Sequence, residues 1–277
     1  MRIGIVGLGL IGGSLAKALT RYTDHEVYGE NRTLATAERA LADGSIHGIG
    51  GIDQCDVVYV CLPPQATVDY IRSGSFRDGA VVTDVCGIKR FVLDSLDDVR
   101  RSGSIRFVGS HPMAGREVGG YESSLADLYK GASYIITQDE LTDSAALAVL
   151  EDLARQMHFG RVQIATPEEH DRIIAYTSQM AHVVSNAYIK NKAALEEIGF
   201  SAGSFKDLTR VAQLDAGLWT ELMIENRDML TENLDEFMGH LKAARDAIAA
   251  GDSLELHDLL QAGSERRIRL RQTEERS

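Results

Sequence analysis

Arg2-Ile-Gly-Ile-Val6 runs directly into Gly7-Leu8-Gly9-Leu10-Ile11-Gly12 and then Gly13-Ser-Leu-Ala-Lys-Ala-Leu19, and this stretch decides the fold. A β-branched apolar run enters G-x-G-x-x-G, and the glycines open a segment of helical composition, the context in which that spacing binds a dinucleotide. Each glycine has its own reason. Gly7 permits the tight turn, Gly9 lets a diphosphate approach the backbone, and Gly12 allows close packing of the helix, whose N-terminus meets the negative charge. Leu8, Leu10 and Ile11 complete the binding loop.

Outward from this unit, residues 26–29, 57–62, 80–85 and 106–109 read as further strands between amphipathic stretches, the alternation of a parallel sheet with crossover helices. Residues 133–137 and 160–164 add two strands, with a helix over about 143–157 between them. From Pro167 the sequence turns helical in period, rich in Ala, Leu, Glu, Met and Lys, with no convincing strand. The expected architecture is therefore α/β: a Rossmann-type, mostly parallel sheet domain over residues 1–165, then an all-helical substrate and dimerisation domain over 166–277. The stripe Met180, Val183, Val184, Ala187 and Tyr188 either forms a bundle core or is completed by a second copy of the chain.

Composition removes whole classes. The 277 residues are 44% hydrophobic and 25% charged, near the average for globular proteins, which argues against disordered, collagenous and membrane classes. A formal net charge of −12 does not suit a polyanion, so no nucleic-acid partner is expected, and no stretch reads as a membrane span. The arginine-rich tail, residues 265–276, also carries glutamates and reads as complementing a helix C-terminus. Cys55, Cys61 and Cys86 follow no disulfide or metal-ligand spacing, so no metal is expected and a reducing cytoplasm fits. The apolar start lacks a small-residue cleavage site and argues against export.

The residues after the second strand bear on the cofactor. NAD sites place a carboxylate about 20 residues on, whereas NADP sites need a cation for the 2′-phosphate. Here Glu30 is followed by Asn31, Arg32 and Thr33. With Asn31 at the strand end, Arg32 and the Thr33 hydroxyl hold a phosphate and NADP is favoured; with Glu30 turned inward, NAD is. Leu62, Pro63 and Asp84, at the ends of two further strands, belong to the same cofactor crevice, with Cys86 and Lys89 beyond.

His111, in Gly109-Ser110-His111-Pro112, follows a strand and is placed to take a proton as hydride leaves. Cys86 has no visible partner base and is a poor nucleophile candidate. Glu168-Glu169-His170-Asp171 reads as an acidic first helical turn, and His182, 11 residues after Asp171, falls on about the same face. Asp207 and Arg210, three apart on a helix, either pair with each other or leave Arg210 to receive a substrate carboxylate.

In order, GLGLIGGS, TDVCGIK (83–89), SHPMAGRE (110–117), EEHD (168–171), TSQMAH (177–182) and FKDLTR (205–210) with Leu218-Trp219 resemble the prephenate and arogenate dehydrogenases of tyrosine biosynthesis. The resemblance runs almost the full length. It implies NAD(P)-dependent oxidative decarboxylation of a cyclohexadienyl acid, prephenate or arogenate, by a homodimer whose cleft lies between the two domains. By motif position it implies His111 as proton acceptor, Arg210 as carboxylate receptor and His182 as an orienting group. Glu117, Asp207, Gly203 and Trp219 fall at positions that shape or gate the pocket. Two departures stand out: many relatives have Ser where this chain has Gly87, for which a water or Ser110 substitutes, and Gln179 stands where many have His. At this length no fused mutase or regulatory domain is expected. Two other readings remain: a dehydrogenase of another small hydroxy or keto acid, and a nicotinamide-binding redox sensor.

Overall fold

The computed structural model describes residues 1–116 and 118–274. The apolar runs form a six-stranded, all-parallel sheet from β1 (Arg2–Val6), β2 (Glu26–Glu30), β3 (Gly48–Ile49), β4 (Val57–Val60), β5 (Val81–Asp84) and β6 (Arg106–Val108), in the order β3-β2-β1-β4-β5-β6. Every residue of β4 and β5 is buried, as a sheet covered on both faces requires. One face packs Leu15 and Leu19 of α1 (Leu10–Tyr22) with Tyr129, Tyr134, Leu150 and Leu153. The other packs Val58, Val60, Ile71, Val92, Leu96 and Phe107. The strand order reverses between β1 and β4, so the crevice for a ligand opens outside their carboxyl ends, where the glycine loop lies. On either side run α2 (Leu34–Ala42) and α3 (Pro64–Ser73).

A second sheet holds β7 (Ser110–Pro112), β8 (Ser133–Thr137) and β9 (Arg161–Ala165), with β7 antiparallel to β8 and β8 parallel to β9. The expected strands are all present. β3 and β7, two and three residues long, were not expected, because runs that short carry no periodic signal. β7 corrects one placement: His111 lies within a strand, paired with Ile135, rather than in the loop beyond one.

After α4 (Arg90–Ser95), α5 (Asp97–Ser102) and α6 (Ser144–Gln156), the chain past β9 is helical. Thr166 caps α7 (Pro167–Ile174), accepting from the Glu169 N–H, with Pro167 in the first turn. A π-helical turn, Ala175–Met180, then leads into α8 (Ala181–Tyr188), followed by α9 (Gly203–Thr209) and α10 (Ala216–Glu225). All of this lies in one compact unit, Met1–Arg227; a second unit, Asp228–Ser277, holds the rest of α11 (Arg227–Ala250) and α12 (Ser253–Glu274). These two helices turn at Gly251, which takes a left-handed φ of 68°, and Asp252 caps the second through the Glu255 N–H. The arginines of α12 include Arg267 and Arg269, paired with Glu274 and Glu265. Among the described residues no helix is long and apolar enough to cross a membrane.

Candidate active site

The three glycines of the loop differ in their surroundings. Gly7 has a φ of +89°, and a Cβ there would press on the Cys61 carbonyl oxygen and the Leu62 side chain. At Gly12 a Cβ would run into the Gly7 carbonyl oxygen, whereas at Gly9 it would meet nothing within 4 Å. Two glycines thus serve the protein's own packing, and the third leaves backbone open for a ligand. Asn31, the residue after β2, accepts from the Leu8 N–H at 3.0 Å and donates from Nδ2 to the Thr33 carbonyl at 3.1 Å, tying the loop to the start of α2. Arg32 and Thr33 are exposed, and the Thr33 hydroxyl makes no capping bond although Thr33 is the α2 N-cap. Glu30 lies beside the Tyr70 hydroxyl, which burial and this carboxylate push up. Leu62 packs on the loop, and Pro63 caps α3. An open glycine backbone beside helix N-termini fits a nicotinamide dinucleotide.

The reacting end is a line of three side chains. His111 Nδ1 lies 2.9 Å from His170 Nε2, and His170 Nδ1 lies 2.8 Å from Asp171 Oδ1. His111 is partly exposed, while His170 and Asp171 are 2% and 0% exposed. The carboxylate end fixes the tautomers: His170 donates from Nδ1 to Asp171, so its Nε2 accepts from His111 Nδ1–H, and the lone pair of His111 Nε2 is left for a substrate. Enclosure by protein, then His170, then Lys89 hold the His111 pKa well below 6.5, so the ring is a neutral base. Burial lowers His170 against the pull of Asp171. For Asp171 burial acts upward, but the bonds from His170 and from the Arg90 and Lys89 backbone prevail and hold it below 3.8.

The sequence reading missed this line. It took residues 168–171 as an acidic helix start; Glu168 and Glu169 do lie in the first turn, but His170 and Asp171 turn inward with Pro167 and Ile174. The available signal was a pair of polar residues on the apolar face of a short helix.

Beneath His111, Lys89 and Asp84 form a fully buried ion pair. Lys89 Nζ also donates to the Ser110 carbonyl at 2.6 Å, and Asp84 accepts from the Cys86 N–H at 2.9 Å. Asp84 is therefore a support of the crevice floor. Ser110 does not reach a substrate: it is fully buried, donating to the Asp84 carbonyl and accepting from Thr83 and Tyr134. Burial pushes the Cys86 thiol up, which removes it as a nucleophile. Gln179 is 1% exposed with both ends of its amide bonded inside the protein, so it too faces away from a substrate. Glu117 lies outside the described residues.

A Cβ at Gly87 would stand 3.8 Å from His111 Cε1 and 3.6 Å from Leu222 of α10, so Gly87 borders both. One turn back on α10, the Trp219 ring lies 3.7 Å from that of His182. His182 donates from Nδ1 to the Val211 carbonyl at 3.0 Å, leaving Nε2 as acceptor. Burial lowers its pKa, the Val211 bond raises it and Arg210 lowers it, with a net fall. His182, Asp207 and Arg210 line one shallow cavity; Asp207 and Arg210 are exposed, and Gly203 opens α9 at the surface. The π turn corrects the helical phase. Its i→i+5 bonding inserts about one residue, or about 100°, so His170 rather than Asp171 comes into line with His182.

The chain is similar to known proteins over nearly its full length. Residues 15–163 match the family model "Prephenate dehydrogenase, nucleotide-binding domain", and residues 166–262 match "Prephenate dehydrogenase, dimerization domain". The chain is 31% identical to a cyclohexadienyl dehydrogenase of Zymomonas mobilis, over 97% of this chain and 96% of that one. Among solved structures, Synechocystis arogenate dehydrogenase superposes with a TM-score of 0.81 at 28% identity, covering 98% of this chain and all of that one. Prephenate dehydrogenase from A. aeolicus, in complex with hydroxyphenyl propionate and NAD+, gives 0.85 at 26% identity, covering 98% of each.

Proposed function

The chain belongs to the prephenate dehydrogenase family, and on that premise we propose that it oxidatively decarboxylates prephenate to 4-hydroxyphenylpyruvate, a step in making tyrosine. The observation that carries the reading is the His111–His170–Asp171 line, a neutral base with a buried counter-charge. The nicotinamide, when bound, takes the hydride from the ring carbon bearing the hydroxyl. His111 Nε2 accepts the hydroxyl proton. Its Nδ1–H stays bonded to His170, and the positive charge gained is balanced by Asp171 across that ring. The ring carboxylate departs as carbon dioxide, its bonding pair completing the aromatic ring as a phenolate, which takes the proton back from His111; aromatisation draws the step forward. Arg210 suits a substrate carboxylate. Trp219, Asp207 and Gly203 are assigned to the pocket wall.

For the cofactor we favour NADP. A neutral Asn31 follows β2, the Glu30 carboxylate faces Tyr70, and Arg32 with the unused Thr33 hydroxyl suits a 2′-phosphate. Arogenate is the alternative substrate, and one observation favours it: His182 presents an acceptor at Nε2, which suits an ammonium group better than a keto oxygen. We assign a homodimer, supported by the exposed Met238, Leu241, Leu254 and Leu260 of α11 and α12, and a cytoplasmic location, supported by three free cysteines.

The test is reduced-nicotinamide formation with prephenate or arogenate, each with NAD or NADP. The expected strong signal is prephenate with NADP. Silence in all four, with cofactor binding shown separately, would overturn the reading in favour of a redox sensor.

A further inference from the structure

His170 and Asp171 belong to α7, but what aims them comes from two other places in the fold. Asp171 Oδ1 accepts from the Lys89 N–H at 2.7 Å besides His170, and Oδ2 accepts from the Arg90 N–H at 2.9 Å and Arg90 Nε at 3.3 Å. The Asp171 backbone carbonyl accepts from Asn226 Nδ2 at 3.0 Å. Asn226, just past α10, is fully buried, and its amide is used at both ends: Nδ2 also donates to Gln179 Oε1 at 2.8 Å, and Oδ1 accepts from Arg90 Nη2 at 3.1 Å. Gln179 in turn donates from Nε2 to the Leu222 carbonyl at 2.9 Å. Gln179 stands in the π turn, so this amide pair ties the irregular turn to the end of α10.

A buried cluster of this kind is a costly way to fill space, since every polar atom must be matched. What it supplies that apolar packing cannot is direction. The donors around Asp171 fix where its carboxylate points. That carboxylate fixes the His170 tautomer, and the tautomer decides whether His111 keeps its free nitrogen toward a substrate.

We propose that Asn226, acting with Gln179 and Arg90, is a positioning residue for the proton acceptor, setting Asp171 and through it His170 and His111. The inference rests on His111 being the base. Asn226→Asp keeps volume and shape but replaces both donated bonds by oxygens facing oxygens. The expected result is a kcat about tenfold lower, the scale of coupling within one hydrogen-bond network, with KM for substrate and cofactor little changed. The decisive comparison is the same substitution made in a His170→Asn background, where it should cost nothing further because the link it acts through is gone. Losses that multiply across the two sites, a rise in KM in place of the fall in kcat, or full turnover in the single variant would each overturn the proposal. Should circular dichroism show Asn226→Asp unfolded, Gln179→Glu, which removes the donor to Leu222, takes its place in the same cycle. His111→Asn separates the two claims: if it retains turnover the base assignment itself falls, and if it loses turnover while the cycle shows no coupling, only the positioning role does.

Discussion

The glycine loop and the histidine line lie in the same compact unit and work by opposite means. Around Gly7 to Gly12 the protein withholds side chains: the Gly7 and Gly12 positions are closed by backbone, and the open space at Gly9 is the working surface. Around His111, Gly87 aside, it works through side chains, and the polar atoms of His170 and Asp171 are each committed to a partner. A site built on backbone depends on what is absent and has few ways to be tuned. A site built on linked side chains can be altered by one atom two residues away.

The sharpest way to break this contrast is at the substrate end. His111→Asn should lower kcat by roughly a hundred- to ten-thousand-fold, the range for loss of a general base, with the cofactor dissociation constant almost unchanged. Steady-state kinetics beside direct cofactor titration checks both halves. A parallel loss of cofactor binding would show that the two regions are one site energetically, and near-normal turnover would remove His111 from the chemistry.

The same contrast explains what the sequence disclosed. The glycine loop and the strands of the parallel sheet are local: six consecutive residues and runs of β-branched side chains suffice to state them. β3 and β7 escaped because pairing, not composition, makes a strand of two or three residues. His111 was singled out from Gly109 to Pro112, but His170 and Asp171, to which it is linked, were read as part of a helix start. Which of four polar residues turns inward is decided by docking onto the backbone of Lys89 and Arg90, about 80 positions earlier, and no local rule sees that. The π turn misled in the same way. Counting along an ideal helix put Asp171 in phase with His182, whereas the inserted residue put His170 there.

A smaller effect is expected at the edge of the backbone-built region, where a side chain does enter. Arg32→Ser should lower the preference for NADP over NAD by about ten- to a hundredfold, the worth of one or two hydrogen bonds to a charged group. The ratio of kcat/KM for the two cofactors reads this directly. The turnover number itself should hardly move, because Arg32 is placed with Asn31 and Thr33 at the end of β2 and not with His111. An unchanged ratio would leave Arg32 a surface residue and return the choice of cofactor to Glu30.

The smallest expected effect is a displacement along the pH axis, and its sign follows from what surrounds the base. His111 must be neutral to accept a proton, and enclosure, His170 and the buried Lys89 all oppose its protonation, while Asp84 is paired with Lys89 and Asp171 with His170. The acid limb of kcat/KM should therefore fall below pH 6.5, the ordinary histidine value. Stability follows the same shift. With the folded pKa of His111 and His170 below the unfolded value, the unfolded chain takes up protons that the folded chain refuses. The melting temperature should then drop as pH falls through about 6.5 and below, and hold level above it. Asp171→Asn should move the acid limb lower still, because it removes the carboxylate that favours positive charge on the histidine pair. NAD binding through the glycine loop uses backbone, which does not titrate, and should stay flat across about pH 5 to 8. An acid limb at or above 6.5 would mean that a charge stabilising protonated His111 faces it in the working enzyme, and the histidine line would then need a carboxylate closer than Asp171.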